Sequence, residues 1–335
     1  MPTGYPRSYE NTVAAANKQG RLSIYSSTDA REVAELLRDF KALYPQVRVD
    51  YADLNSTELY SRFIAEVAAR EGTADLLWSV AMDLQIKLVN DGYALSYASP
   101  EKPNLPEWAV WKNEAYGVTA EPVVIVYNKR LMPAADVPAT HGDLERLLRT
   151  NPAYVGKVAT FNPERSGAGF LYITQDVQVT RDTWALARAM GKANVQLYAS
   201  TGAIIERVVS GEHLIAYNMI GPYALERQAR DPAVGVVLPR DYTLVASRIA
   251  LIPADARNPD AAKLFLDYLL SKRGQTMLAR RYMPPVRSDV DAPPGSRLAQ
   301  DRMRAIRVGP ELIANLDQIK RLRFIKDWRK ALGQD

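Results

Sequence analysis

The stretch Leu22–Tyr51, which reads LSIYSSTDAREVAELLRDFKALYPQVRVDY, decides the fold class of this chain. Its first residues alternate apolar and polar side chains as a half-buried strand does, and a polar loop follows. A helical pattern with one apolar face comes next, and Pro45 ends it. Val47, Val49 and Tyr51 then alternate as a second strand. The stretch therefore predicts a βαβ unit, whose strands are parallel and whose crossover is right-handed.

The helix of this unit carries two further signals. Asp29 and Glu32 have the spacing of a capping box at its N-terminus. Its predicted inward face consists of Val33, Leu36, Leu37, Phe40 and Leu43. Together they favour a helix that packs one face on the sheet.

The alternation of strands and helices continues along the chain. A helix is predicted over 57–70, a buried strand over 75–79 and a helix over 83–90. Open parallel sheets bind ligands at the carboxyl ends of their strands. This rule selects residues that follow the predicted strands as candidate ligand contacts: Ser26, Ser27, Thr28, Ser79, Ala81 and Asp83. Asp83 has an equally strong structural interpretation, as a carboxylate that stabilises the helix dipole.

The segment NPERSGAGF at residues 162–170 places a cation, a hydroxyl and two glycines just ahead of a helix predicted over 170–178. A helix start carries unpaired N–H groups and the positive end of the helix dipole. Small residues give an anion access to those groups, and an arginine can add a bidentate contact. The segment therefore predicts a cradle for a phosphate, sulfonate or carboxylate, with these contacts: Arg165, Ser166, Gly167, Ala168 and Gly169. The alternative is a loop in which Ser166 is an ordinary helix cap.

A second set of strand-to-helix turns follows this segment. Ser200-Thr201-Gly202 begins another predicted helix, and a strand over 214–218 ends in Gly221-Pro222-Tyr223. By the same rule for strand ends, the candidate contacts here are Thr201, Tyr217, Asn218 and Tyr223.

Two β-forming runs, near 119–127 and 242–250, bracket the middle of the chain. The simplest interpretation is an inserted domain that two crossing strands join to a discontinuous one. Thr119 and Glu121 lie at the first of these hinges and are further candidate contacts. Glu121 could instead be a structural hinge carboxylate.

The composition excludes several classes of chemistry. The chain has 335 residues, no cysteine and two histidines far apart, His141 and His213, so no cofactor or metal is expected. A Ser-His-Asp triad is also disfavoured, and His213 is interpreted as a structural residue. The net charge of +5 comes from scattered residues, and the basic tail at 320–330 is interpreted as a solvated helix face. Nucleic-acid binding would require a basic face with exposed aromatics, and nothing else in the sequence supports it, so no nucleic-acid partner is expected.

The segment NPDAAKLFLDYLLS at residues 258–271 carries a family resemblance, together with Gly274-Gln275 and Pro284-Pro285-Val286-Arg287. With these motifs the chain resembles the extracytoplasmic solute-binding proteins of ABC importers, in the two-lobed subgroup that includes ferric-ion binders. The match covers residues 21–289. Residues 78–94 look like the relatives that handle sugar phosphates and phosphoglycerate.

The resemblance implies an α/β fold, with two Rossmann-like lobes around a cleft that closes about two hinge strands. This is the type II periplasmic binding protein fold. Lobe 1 is expected at 20–119 and 247–335, and lobe 2 at 124–242. Family members commonly bind an anion through the loop that here is Arg165–Gly169. Ferric members use two adjacent tyrosines where this chain has isolated Tyr217 and Tyr223, which puts ferric binding in doubt.

The resemblance and the residues together predict a periplasmic receptor that hands a small phosphorylated or otherwise anionic solute to an inner-membrane permease. A monomer without catalytic activity is expected. The chain begins Met1-Pro2-Thr3-Gly4 with no visible signal peptide, so a cloning start could have replaced an export signal. The alternatives are a sensory protein for a two-component system and, less strongly supported, a ferric-ion binder.

Overall fold

The computed structural model describes residues 5–299 and 301–334 and contains two compact units. Unit 1 comprises the chain through Ala120 with 247–292 and 307–313. Unit 2 comprises 121–246, 293–306 and the chain from Ala314. The chain passes between them inside both predicted hinge runs. The predicted division placed residues 293–306 and 314–334 in the first lobe, whereas the structure places them in unit 2.

The strands of unit 1 form one mixed sheet in the order β2-β1-β3-β12-β5-β4, with all strands and helices numbered along the whole chain. Strand β1 is parallel to β2 and β3, as the βαβ pattern predicts, whereas β12 is antiparallel to β3 and β5. The bounds are β1 Arg21–Ser26, β2 Arg48–Asp53, β3 Leu76–Ser79, β4 Val110–Trp111, β5 Ala115–Gly117 and β12 Ile249–Leu251.

The helices of unit 1 pack on this sheet around one apolar core. Leu22, Ile24, Phe40, Trp78 and Phe265 lie in that core, each 0% exposed. The bounds are α1 Tyr9–Gln19, α2 Ala30–Leu43, α3 Ser56–Ala68, α4 Met82–Asn90, α10 Pro259–Leu270 and α11 Lys272–Ala279.

The start of α2 differs from the predicted capping box. Asp29 makes no side-chain cap hydrogen bond, and the N–H of Ala30 donates to Asp53 at the end of β2 instead. Glu32 is buried and pairs with Arg281 at 2.7 Å, so its carboxylate serves a tertiary contact. Leu43, predicted to face inward, is 40% exposed because it is the last residue of the helix.

Strands of unit 2 form a second sheet in the order β13-β11-β6-β9-β7-β8, with β10 also paired to β6. Strand β7 is parallel to β8 and β9, while β6 is antiparallel to β9, β10 and β11. The bounds are β6 Glu121–Asn128, β7 Val158–Phe161, β8 Gln196–Tyr198, β9 Ile215–Ile220, β10 Val234–Val237, β11 Thr243–Ala246 and β13 Met303–Ala305.

The helices of unit 2 enclose a core of its own. Trp328 and Leu332 of the last helix are buried in that core, which is why the C-terminal segment belongs to unit 2. The bounds are α5 His141–Thr150, α6 Gly167–Val179, α7 Thr183–Lys192, α8 Thr201–Ser210, α9 Gly221–Arg230 and α12 Gln318–Leu332. Across residues 5–299 and 301–334, no helix is both long and apolar enough to cross a bilayer.

Candidate functional site

The sheet of unit 1 gathers polar residues at one edge. The carboxyl ends of β1 and β3 lie side by side, since Ser26 is in register with Trp78. Strand β12 runs the opposite way, so its first residue, Ile249, pairs with Ser79 and its preceding residues reach the same edge. Residues 26–28, 79–83, 118–119 and 247–248 therefore converge there.

The serine and threonine side chains at this edge are already hydrogen-bonded within unit 1. Ser26 Oγ accepts from the Thr28 N–H at 3.1 Å, and Ser27 Oγ accepts from the Val80 N–H at 3.0 Å. Thr119 Oγ1 accepts from the Arg248 N–H at 3.0 Å. These hydroxyls fix the loops, and a hydroxyl can still bind a ligand through its remaining donor or acceptor capacity.

Arg248 is a residue of this edge that sequence reasoning missed. Its side chain is 1% exposed, and Nη1 donates to Thr28 Oγ1 at 2.7 Å. A buried guanidinium beside hydroxyls is a strong binder of oxyanions and carboxylates. The signal in the sequence is the polar pair Ser247-Arg248, which interrupts an apolar β run over 242–253.

Asp83 lies in the first turn of α4 and is 3% exposed. Its Oδ1 accepts from the N–H of Leu84 at 2.9 Å. This contact is consistent with the interpretation of Asp83 as a carboxylate that stabilises the start of α4. A contact between Asp83 and a ligand stays a proposal.

The sheet of unit 2 provides a second converging edge. Neighbouring parallel strands β8, β7 and β9 end at the same edge, and the helices α8, α6 and α9 each begin within six residues of those strand ends. Three helix N-termini therefore meet at the carboxyl ends of three adjacent strands. Each contributes N–H groups and the positive end of a dipole.

The predicted anion cradle forms the start of α6. Ser166 is the N-cap, and its Oγ accepts from the Gly169 N–H at 3.1 Å. The helix begins three residues earlier than predicted because this cap extends it to Gly167. Helix geometry leaves the N–H groups of Gly167 and Ala168 without an intrahelical acceptor. They are the groups available to an anion here.

Gly169 has a packing role that the sequence did not reveal. A Cβ at this position would lie 2.4 Å from Cβ of Phe161 on β7. The missing side chain lets α6 approach β7 closely, and this approach places the helix start at the strand ends.

Arg165 is exposed, and its guanidinium has no ion pair within residues 5–299 and 301–334. The acidic residue just before it, Glu164, forms an ion pair with Arg329 at 2.5 Å instead. A cation that no carboxylate neutralises beside a helix start suits anion capture.

Thr201 occupies the first position of α8 and is 6% exposed. Its Oγ1 is buried and has no hydrogen-bond partner in the part of the chain that the structure describes. Buried hydroxyls are satisfied in nearly all native proteins, so this group is consistent with a ligand or water contact.

The strand β9 carries a β-bulge at Tyr217 and Asn218. Its register with β6 shifts between Ala216 and Met219, and Asn218 has a positive φ of 60°. Asn tolerates this left-handed conformation better than most residues, and bulges often re-aim side chains next to functional sites.

A fully buried carboxyl group, Asp176 on α6, holds this bulge. It accepts from Tyr217 Oη at 2.7 Å, from Asn218 Nδ2 at 2.6 Å and from Tyr242 Oη at 2.9 Å. Burial raises the pKa of Asp176 in spite of these donors. The same helix thus provides the anion cradle at its start and anchors the bulge near its end.

Tyr217, one of the two tyrosines in this network, does not have the surroundings of an iron ligand. Burial and the neighbouring Asp176 raise the pKa of Tyr217 well above its ordinary value, and its hydroxyl already donates to that carboxyl group at 2.7 Å inside the core. Across residues 5–299 and 301–334, no group of three or more His, Asp or Glu side chains is arranged to hold a metal ion.

The remaining predicted residues of unit 2 lie near the same elements. Glu121 is 2% exposed and pairs through its backbone with Ala246 of β11. Tyr223 is half-buried in the first turn of α9. His213 is buried, and its Nε2 contacts Tyr198 Oη at 2.8 Å, in agreement with a structural role.

Comparisons with known proteins agree with this architecture. Residues 35–301 match the family described as bacterial extracellular solute-binding protein. A substrate-binding protein of an ABC transporter from Agrobacterium tumefaciens is 39% identical, with a TM-score of 0.87, covering 93% of this chain and 94% of that one.

More distant relatives share the fold. The periplasmic binding protein AfuA from Actinobacillus pleuropneumoniae, with exogenous fructose-6-phosphate bound, is 20% identical with a TM-score of 0.77. This match covers 94% of this chain and 99% of AfuA. Iron-bound HitA from Pseudomonas aeruginosa is 19% identical with a TM-score of 0.72, over 93% and 99% of the two chains.

Proposed function

Because the chain belongs to the bacterial extracellular solute-binding protein family, we propose that it captures a small anionic organic solute for an ABC importer. A phosphorylated compound such as a sugar phosphate is the preferred class. The solute passes unchanged to an inner-membrane permease, and the protein acts in the periplasm as a monomer without catalysis.

The start of α6 is the single observation that carries this proposal. The N–H groups of Gly167 and Ala168 have no intrahelical acceptor, and the helix dipole is positive there. Arg165, which makes no ion pair within the described residues, lies two residues before the helix begins. A phosphate monoester offers several oxygens to such donors, and a bidentate arginine contact adds specificity.

The other side chains define the ligand beyond its charged group. In unit 2, Thr201 Oγ1 supplies a hydroxyl in need of a partner, and Asn218 supplies an amide carbonyl. Arg248 and Thr28 are candidate polar contacts of unit 1 in its own right. We assign the hydroxyls of a polyol or sugar to Thr201 and Asn218, because a sugar hydroxyl can donate to the amide carbonyl and can either donate to or accept from the threonine hydroxyl.

Fructose-6-phosphate bound to the similarly folded AfuA agrees with this ligand class. The ferric alternative is disfavoured because Tyr217 Oη donates to Asp176 inside the core and Tyr223 is not adjacent to Tyr217 in the sequence. The sensory alternative uses the same binding residues, and no feature of either unit favours it.

A thermal-shift screen with matched ligand pairs tests the proposal. Fructose-6-phosphate is compared with fructose, and phosphoglycerate with glycerate, because each pair differs in the phosphate alone. A ligand that binds only the native state at 100 times its Kd stabilises it by about 2.7 kcal/mol. We expect a phosphorylated member to raise the melting temperature. Stabilisation by neutral sugars alone would contradict the proposal.

The variant Arg165→Gln tests the assignment of the charged group. Loss of one charge-assisted contact weakens anion binding about 10- to 100-fold, as measured by isothermal titration calorimetry. The matched control is Arg188→Gln, which removes an exposed cation of α7 and the same net charge. Equal weakening in both variants would indicate a general electrostatic effect and would remove Arg165 from the site.

A further inference from the structure

The outward face of α12 is a cationic surface that solute binding does not use. A helix turns about 100° per residue. Ile319, Arg323, Lys326 and Lys330 therefore share one sector, and all four are exposed. The opposite sector holds Trp328, which is buried in the core of unit 2.

The charge on this face is not neutralised by neighbouring acids. Within residues 5–299 and 301–334, no ion pair involves Lys320, Arg323, Lys326 or Lys330. Asp327 is the single acidic residue inside α12. The cations thus remain available to an external anionic partner.

The neighbouring helix α7 extends the cationic surface. Two contacts show that the helices pack closely. The ring centroids of Trp184 and Phe324 lie 5.4 Å apart, and a Cβ on Gly191 would meet the backbone of Leu332 at 2.6 Å. Arg188 and Lys192 of α7 are exposed. Two helices that pack on each other therefore both carry exposed cations.

Two large aliphatic side chains project from the same helix. Ile319 is 78% exposed and Leu322 is 63% exposed, one turn apart at the start of α12. Aliphatic side chains beside cations are typical of helices that lie on a bilayer, where the aliphatic groups enter the headgroup region and the cations attract anionic lipids.

We propose that this face, formed by α12 with Arg188 and Lys192 of α7, binds the surface of a membrane that contains anionic phospholipids. The cations from Lys320 to Lys330 spread along about 15 Å of helix, which suits an array of headgroups rather than one small anion. Phe324 and Trp328 pack inward, so the face lacks the exposed aromatic rings that would favour single-stranded nucleic acid.

Co-sedimentation of the full chain with lipid vesicles tests this proposal. The vesicles contain phosphatidylglycerol and phosphatidylethanolamine, and neutral vesicles of phosphatidylcholine serve as the reference. We expect binding to the anionic vesicles at low ionic strength, with weaker binding as salt screens the charges. The triple variant R323E/K326E/K330E is expected to bind at least about tenfold more weakly, because each basic residue near an anionic surface contributes to the attraction.

A matched variant separates the face from the net charge. The control K18E/K41E/K129E replaces three exposed lysines on other elements and changes the net charge equally, from +5 to −1. Ile319→Ser with Leu322→Ser tests the aliphatic contribution, and we expect it to weaken the binding that persists at high salt. Unchanged melting temperatures would show that all variants fold, since every substituted side chain is exposed.

Three results would overturn the proposal. One is the absence of binding to anionic vesicles, and another is equal loss of binding in the two triple variants. The third is capture of an acidic protein domain through this face without any vesicle binding. None of these outcomes depends on the identity of the transported solute.

Discussion

Asp176 is the residue whose surroundings account best for the shape of the unit 2 edge. Its two carboxyl oxygens accept from Tyr217, Asn218 and Tyr242 inside the core. Removing the acceptor would leave three buried donors unpaired. Asn218, whose backbone is in the left-handed conformation, would also lose the hydrogen bond that holds its side chain.

We predict that Asp176→Ala lowers the free energy of unfolding by about 3 kcal/mol or more, since each unpaired buried donor costs about 1–3 kcal/mol. Urea denaturation measures this loss. Asp176→Asn, which retains one acceptor oxygen, should be affected less. A loss below about 1 kcal/mol in the alanine variant would show that Asp176 does not hold the bulge.

Asp267 gives unit 1 a defined pH dependence. It lies in α10 and accepts from the hydroxyls of Tyr9, Tyr97 and Ser99. Burial raises its pKa from 3.8 to about 6, although these hydroxyl donors lower it. The native state therefore holds a proton that the unfolded chain releases between these two pH values.

The free energy of unfolding should consequently fall as the pH rises from about 4 to about 6. The contribution of Asp267 to this fall is about 3 kcal/mol, from the difference between its two pKa values. Asp267→Asn is expected to remove that slope in urea denaturation across the pH range.

Asp39 serves as a control for Asp267, because its pKa is shifted in the opposite direction. Arg273, at 2.7 Å, and Tyr268 lower the pKa of Asp39, so its contribution is lost as the pH falls. Asp39→Asn should therefore change the pH slope in the opposite sense. An unchanged slope in Asp267→Asn would mean that this carboxyl group titrates normally in the folded protein.

Among the elements, α6 combines a helix cap, an anion cradle and a close packing contact in its first turn. A Cβ on Gly169 would clash with Phe161, whereas a Cβ on Gly202 in α8 would meet nothing within 4 Å. The two glycines thus occupy comparable helical positions with opposite steric surroundings.

We predict that Gly169→Ala destabilises the protein by about 1–3 kcal/mol through overpacking. Gly202→Ala should be neutral or stabilise it by up to about 1 kcal/mol, because alanine is the better helix former. Melting temperatures from differential scanning calorimetry compare the two. Equal effects would show that α6 does not depend on this close approach.

Periodicity and turn residues were sufficient to predict the elements that carry the site. The βαβ unit over Leu22–Tyr51, the helix that follows the segment 162–170 and the strand that contains Tyr217 were all predicted from such patterns. The tertiary partners were not. Glu32 meets Arg281, and Asp53 caps α2, through contacts between distant parts of the chain that no local spacing encodes.

Arg248 and Asp176 escaped detection for the same reason. Each looks like an ordinary polar residue in its own segment, and only the register of β12 with β3 and the packing of α6 show its neighbours. Gly169 likewise has further roles that no local pattern indicates. Its N–H donates to Ser166 Oγ, and the absence of its side chain leaves room for Phe161.

At the scale of the whole molecule, the two units each offer a polar edge at the ends of strands. The last helix was expected to belong to the first lobe, but Trp328 and Leu332 bury it in unit 2. Each edge carries an arginine, the exposed Arg165 in unit 2 and the buried Arg248 in unit 1.

Native mass spectrometry of the purified protein tests the central claim most directly. We predict a population whose added mass matches a small organic anion, released under denaturing conditions and identified in negative-ion mode. This population should decrease in Arg165→Gln and persist in Arg188→Gln. A bound neutral sugar or amino acid, present equally in both variants, would contradict the account.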